Sequence, residues 1–449
     1  MMNTDEIKNT IWDVMQDLRG LIFSSDKVSN SVVRLFFLKY AVDNNIGATG
    51  LETMQQCAKA QKMFALRDTE TGLETIVPFL VNIDRAYHLD KIISSSDVIE
   101  QYAGELFGMD RSRQKKNTND QGFKRIMDKL GSLDLEEVQG SHELGKLLVD
   151  ALISVVISST EGNRFIGEHT TNPSLSKLAG SILNVNATDS FCDSFSGKGV
   201  STIIITGNTL PDVTLVEISR ENAAISAMLL IMYGYEHFKI ICSDSLTEQL
   251  PGVRGNKMFI DSPVGMKVEK TEENKYIDGN LAAIDSIMHR YLSQHGVAVV
   301  TTPSGPLFRQ GPAAALKEEL TMRGLLQAVI ALPPMWTGSN VGTNLMVLGE
   351  NLKRGILFVD ASDRAVASDK KRYRGSATLS DETIREITEL IRNPHDVPGF
   401  AKVASWEVIS MRGFNLIPAN YVIKQMEEDT TTLEEIDAEL AALYRQLSM

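Results

Sequence analysis

A chain of 449 residues is too long for one compact core, which sets the expectation of two or three domains. Its 43% hydrophobic and 23% charged residues are those of an ordinary globular protein, and no apolar run reaches the roughly 18 residues that would span a bilayer, so a membrane-spanning class is excluded. A formal net charge of −13 excludes a free-standing basic coat for gripping nucleic acid; any DNA contact is local or shared with a partner.

The chain opens on Met1-Met-Asn-Thr-Asp-Glu6, polar and acidic, with no apolar stretch behind a basic start; no secretory signal is expected and the expected location is cytoplasmic. From Asp5 to about Asn44 apolar residues recur at helical spacing: Ile7, Ile11, Trp12, Met15 and Leu18, then Val32, Val33, Leu35 to Leu38 and Tyr40. Two helices are predicted, broken at Ser24-Ser25-Asp26 and closed by Asn44-Asn45-Ile46-Gly47. The rest of residues 1–150 also reads as helix, giving an all-helical N-terminal domain. Within it Arg111, Arg113, Lys115, Lys116, Lys124 and Arg125 form the densest basic segment. The functional reading is contact with DNA phosphates; the competing reading is a solvated loop.

From about residue 180 short β-branched runs alternate with helices, the pattern of a doubly wound parallel α/β sheet. Predicted strands are Ser201 to Ile205, Thr214 to Glu217, Lys239 to Cys242, Met258 to Ile260, Val297 to Thr301, Leu326 to Leu332, Leu345 to Leu348 and Ile356 to Asp360. At the first of these, the alternative is that the preceding motif itself ends the strand. Helices are predicted at Arg220 to Tyr233, Leu281 to Gln294, Pro312 to Arg323 and Ser380 to Arg392. A last helix, Thr432 to Leu447, carries Leu433, Ile436, Leu440, Leu443, Tyr444 and Leu447 on one face, suited to docking on a neighbour. The expected division is a helical domain over 1–150, a Rossmann-like domain over 151–365 and a helical extension over 366–449.

Cys57, Cys192 and Cys242 form no CxxC pair, and the seven histidines show no HExxH spacing. No disulfide framework and no metal are expected, and His237 reads as structural.

A Rossmann-type cofactor domain needs a glycine-rich turn after its first strand and an acid ending the second. Glu217, ending Thr-Leu-Val-Glu, lies twenty residues after Gly197 of Ser-Gly-Lys-Gly199, but Thr202 stands where a third glycine would complete GxGxxG. At this point NAD and S-adenosylmethionine are both open, as is a plain surface carboxylate. Asp244 ends the next strand, where it accepts from an adenine amino group or caps a helix. Asp261-Ser-Pro-Val-Gly265 ends the strand after that, the place where an amino-methyltransferase holds its target amine.

The order of segments then resembles one family. Ile11 to Gly20 and Val32 to Tyr40 resemble the helical opening of type I restriction-modification modification subunits. Gly167-Glu-His-Thr-Thr-Asn-Pro173 resembles their GEFYTP segment, Asp189-Ser-Phe-Cys-Asp-Ser-Phe-Ser196 their DPxCGSGG loop, and Asp261 to Gly265 their NPPFG catalytic loop. Pro303 to Gly311, Leu325 to Pro333, Phe358 to Asp363 and Phe414 to Tyr421 are similar to later segments. The resemblance implies an adenine-N6 DNA methyltransferase subunit that uses S-adenosylmethionine. Its implied partners are DNA, a DNA-specificity subunit, a second modification subunit and a restriction subunit. It assigns Asp261, Ser262, Pro263 and Val264 to the catalytic loop. Thr171, Pro173, Asp189, Ser194, Gly197, Gly199, Glu217 and Asp244 fall to the cofactor.

Departures from the family form concentrate at these sites. Asp193, Phe195 and Ser196 replace glycines, and their side chains are expected to crowd the cofactor. Gly197-Lys-Gly199 restores a tight turn one register later in an alternative reading. Ser262 replaces a proline, Val264 replaces the aromatic ring that stacks on a flipped base, and the segment before Pro173 carries an insertion without the aromatic pair. Together they predict impaired or lost catalysis in a kept fold. Three functions stay open: an active methyltransferase, a non-catalytic scaffold or DNA-clamping subunit of a defence complex, and an NAD-dependent oxidoreductase, for which the sequence supplies no hydride-transfer site.

Overall fold

The computed structural model describes residues 4–20, 25–66, 72–107, 109–110, 115–116, 120–138, 141–157, 171–336, 339–351, 355–366 and 377–424. Its spine is a 9-stranded sheet of β1 (Ser190–Asp193), β2 (Asp212–Glu217), β3 (Phe238–Cys242), β4 (Gly255–Ile260), β5 (Leu292–Pro303), β6 (Leu326–Leu332), β7 (Thr343–Gly349), β8 (Gly355–Asp360) and β9 (Ala401–Ser405). The strands lie in the order β3-β2-β1-β4-β5-β7-β6-β8-β9. From β3 to β5 they are parallel, β7 is antiparallel to both neighbours, and β9 closes one edge antiparallel to β8. The chain order reverses between β1 and β4, and a crevice opens there at the strands' C-terminal ends, where open α/β sheets bind ligands.

Strand alternation divides the core in two. Phe259 and Leu215 face one cluster, whereas Met258, Ile260 and Val216 face the other. The first cluster continues without a break into the N-terminal helices α1 (Thr4–Arg19), α2 (Ser25–Asp43), α3 (Leu51–Leu66), α4 (Gly72–Ala86), α5 (Ser96–Phe107), α6 (Asp120–Ser132) and α7 (Glu143–Leu152). Helix α2 is buried on every side from Val28 to Val42, as a helix at the centre of a layer must be. It packs on α10 (Arg220–Tyr233), which follows β2. Gly145 lets α7 approach the same helix: a Cβ there would lie 2.0 Å from the Met232 carbonyl oxygen.

Several expectations are corrected. Ser201 to Ile205 is not a strand but most of helix α9 (Val200–Thr206), and the first strand is β1, inside the preceding motif. The β-branched run misled because a short apolar stretch buried all round has no telling period. The helix expected over Leu281 to Gln294 is α11 (Gly279–Ser286) followed by a π turn (Ile287–Tyr291), and β5 begins at Leu292. The π turn aims Tyr291 Oη at the Ser245 carbonyl, 2.5 Å away, and Arg290 Nη2 at the same oxygen, 2.9 Å away. The helical N-terminal layer carries one short hairpin, Met109–Asp110 with Lys115–Lys116. The stretch after residue 366 is not a purely helical appendage. It supplies edge strand β9 and helix α14 (Asp381–Arg392), which packs on α8 (Pro173–Leu183). The amphipathic segment from Thr432 lies outside the described residues. No helix among the described residues is long and apolar enough to cross a membrane.

Candidate functional site

Strand β1 ends at Asp193, and this sets the register of the turn that follows. The acid at the strand's end is Asp193 rather than Asp189, and the glycines that shape the turn are Gly197 (φ +52°) and Gly199 (φ +76°), the latter opening α9. Both occupy the left-handed region that glycine adopts at no steric cost. A Cβ at Gly199 would also lie 3.2 Å from Ser226, so close approach to α10 adds a second requirement. Of the three residues expected to crowd the cofactor, Phe195 and Ser196 line the cavity and Asp193 does not. Asp193 is buried behind the loop, Phe195 packs into the second core cluster, and the Ser196 amide donates to the Val216 carbonyl at 3.2 Å. Asp189 sits at the far end of β1, where its oxygens accept from Asn256 Nδ2 and the Asn186 amide at 2.8 Å each; it is not among the residues around the crevice.

The crevice holds a cavity of about 400 Å³, lined by the loop Ser194 to Lys198, the ends of β2, β3 and β4, and Thr171. Glu217 closes the glycine turn: its carboxylate accepts from the Gly197 amide at 2.9 Å and the Ser219 amide at 2.8 Å. Asp244 lines the cavity and accepts from the Leu246 amide at 2.9 Å, capping a turn rather than the helix that was the alternative reading. Pro173 stands at the first position of α8, whose cap is Asn172.

Lys198 is the one cation among the described lining residues, against Glu217, Asp244 and Asp261, so the cavity favours a ligand carrying positive charge. Behind the loop, Asp193 accepts from the Phe195 amide at 3.0 Å. Burial, with the nearby charges of Asp261 and Glu217, pushes its carboxyl up to about 7. The hydroxyl of Ser194 is 2% exposed, belongs to the cavity wall and has no hydrogen-bond partner in the described structure. A buried hydroxyl left so costs free energy that a bound polar ligand would recover.

At the mouth of the cavity three elements converge on Asp261, just beyond the end of β4. Thr171 Oγ1 donates to its Oδ2 at 2.7 Å; Thr301 Oγ1, near the end of β5, and Trp336 Nε1 at 3.3 Å, beyond β6, both donate to its Oδ1. An exposed carboxylate turns freely; this one is held in orientation. Ser262 is buried and accepts from Asn280 Nδ2 at 2.9 Å, so a hydrogen bond to α11 replaces the stiffness of a proline. Pro263 lines the cavity, and Val264 is 37% exposed beside Gly265 (φ +76°).

The basic segment is not brought to this site as a unit. Arg111 and Arg113 lie outside the described residues, Lys115 and Lys116 form one strand of the short hairpin, Lys124 is exposed, and Arg125 pairs with Asp17 at 3.5 Å. Sequence reasoning missed Thr301 and Trp336. Both follow apolar strand runs, and the rule that α/β ligands gather at strand C-terminal ends would have found Thr301. No cluster of three metal-ligating side chains occurs among the described residues.

A family model described as N-6 DNA Methylase matches residues 159–430. The chain is 23% identical over 249 residues to the type I restriction enzyme MpnII methylase subunit of Mycoplasma pneumoniae, covering 49% of this chain and 45% of that one. It is 28% identical over 150 residues to the MjaVII methylase subunit of Methanocaldococcus jannaschii, covering 32% and 26%. The matched stretch thus spans less than half of either curated relative. In fold, the chain is similar to the type I restriction-modification methyltransferase subunit from Streptococcus thermophilus, with a TM-score of 0.73 and 18% identity over 94% of this chain and 100% of that one.

Proposed function

Because the chain belongs to the N-6 DNA methylase family, whose model matches more than half of it, we propose that it is the modification subunit of a type I restriction-modification system. It binds S-adenosylmethionine in the cavity and methylates adenine N6 in DNA selected by a specificity subunit. The observation that carries this reading is Asp261, oriented by three donors at the mouth of an acidic cavity at the sheet's switch point. S-adenosylmethionine supplies, when bound, an electrophilic methyl group on a cationic sulfur. Ser194, the glycine turn and Glu217 are the residues that would hold it, with Asp244 for the adenine end. Asp261 accepts a hydrogen bond from the target amine, so that the nitrogen's lone pair faces the cavity. The family's stated chemistry fits the residues present: a buried hydroxyl without a partner, open space around Gly197, and carboxylates for a positive charge.

The second reading, a catalytically impaired scaffold that clamps DNA, rests on Val264, which offers no ring to stack on an extruded base. The glycine turn gives it no support. Incubating the chain, a candidate specificity subunit and DNA with methyl-labelled S-adenosylmethionine decides between them. Label in N6-methyladenine is expected, and its loss in Asp261→Ala. Cofactor binding without any transfer, across candidate partners, selects the scaffold.

A further inference from the structure

Helix α10, whose start lines the cavity, is held by residues almost two hundred positions away. Glu221, in the first turn of α10, accepts from Asn30 Nδ2 at 2.7 Å and from Arg34 Nη1 at 3.3 Å, both on the buried helix α2. Arg34 is 1% exposed and Asn30 3%, while the Glu221 side chain keeps 33% exposure, so the contact is buried on its α2 side and open to solvent on its α10 side. Burial opposes the charge on Glu221, yet Asn30, Arg34 and the Lys198 ammonium of the glycine turn together hold its carboxyl below the usual range.

From Glu221 the contacts run straight to the cavity. Ser219, two residues before it, caps α10 by accepting from the Asn222 amide at 3.3 Å, and both Ser219 and Asn222 line the cavity. One turn on, Ser226 Oγ donates to the Gly197 carbonyl at 2.8 Å, with the Asn222 carbonyl at 3.0 Å as its alternative acceptor. Helix α10 is therefore fixed to α2 at its start and to the glycine turn on its inner face.

We infer that Asn30 and Arg34 of the N-terminal helical layer are positioning residues of the cofactor cavity, acting through Glu221 on the Ser219–Asn222 turn and the glycine loop. The helical layer is then a working part of the cofactor site, and whatever shifts α2 changes cofactor affinity. This rests on the cavity being the S-adenosylmethionine site.

The test compares the full chain with Asn30→Ala, Asn30→Asp and Glu221→Gln, and with Lys129→Met as a control, which breaks the Lys129–Asp17 pair (2.8 Å) in the same layer away from α10. Titration calorimetry with S-adenosylmethionine is expected to show about threefold to tenfold weaker binding for Asn30→Ala. Asn30→Asp, which sets a second carboxylate against Glu221, should lose more, and Lys129→Met nothing. Hydrogen exchange without ligand should quicken at the amides of 196–199 and 219–223 in the Asn30 and Glu221 variants while the rest of the chain keeps its protection. Wild-type affinity with unchanged local exchange in the Asn30 variants overturns the inference alone. No binding by the wild type overturns the cofactor reading with it, and the exchange data then still report whether the tether sets the loop.

Discussion

Replacing Asp193 with asparagine should make the protein more stable at pH 8 and a poorer binder of a cationic ligand. Asparagine keeps the size of the side chain and the acceptor for the Phe195 amide, 3.0 Å away, while removing the charge. The carboxyl is raised from 3.8 to about 7, first by burial and then by Asp261 and Glu217, so the folded chain retains a proton that the unfolded chain has lost. Native Asp193 therefore lowers stability progressively as pH rises from about 4 to about 7, and the effect levels off above. At about 1.4 kcal/mol per unit the whole cost is roughly 4 kcal/mol, the upper bound on what Asp193→Asn recovers at pH 8. Urea unfolding of both proteins at pH 5, 6, 7 and 8 measures it. The difference should be about 2 kcal/mol at pH 5, grow through pH 7 and level off at roughly 4 kcal/mol, while S-adenosylmethionine affinity at pH 8 falls. Parallel stability curves across that range would refute the placement of a charged group in that environment.

Removing the donor in Thr301→Val should lower the rate of methyl transfer by about tenfold with little change in cofactor affinity, since Thr301 touches Asp261 and not the cavity wall; single-turnover kinetics beside calorimetry separate the two. Val264→Phe, left without any change at Ser262 because its bond to Asn280 would be lost to proline, should tighten retention of an extruded base by up to about tenfold, read with a fluorescent base analogue in the target strand. Gly145→Ala sets a Cβ against the Met232 carbonyl and the Tyr40 hydroxyl and should cost about 3 kcal/mol, seen as a lowered unfolding midpoint. Neutralising Lys124 with Lys115 and Lys116 should flatten the salt dependence of DNA binding by the assembled complex; an unaltered slope removes that segment from the interface.

Much of this molecule was legible from periodicity. The strands from Thr214 onward and helices α10, α13 (Pro312–Met322) and α14 follow from β-branched runs, glycine stops and serine caps that also form in the structure. The glycine turn was misread for a physical reason. Ser190-Phe-Cys-Asp193 is a four-residue strand with a polar first residue, which looks like loop, while the Val200–Thr206 helix is apolar enough to look like strand. Shifting that boundary moves the acid from Asp189 to Asp193 and puts Gly197 and Gly199 where the backbone needs glycine. Asp261, Glu217 and Asp244 were visible because each ends an apolar run. Their partners were not, since Thr171, Thr301 and Trp336 meet only through the sheet's topology, and Asn30 meets Glu221 through packing of the helical layer on α10.

Isothermal titration of S-adenosylmethionine into the purified chain asks whether the cavity beside β1 and β4 takes that cofactor. Micromolar binding at one site is expected, lost or weakened by more than about tenfold in Glu217→Ala. An absence of heat up to millimolar concentration, with the chain folded, would contradict it.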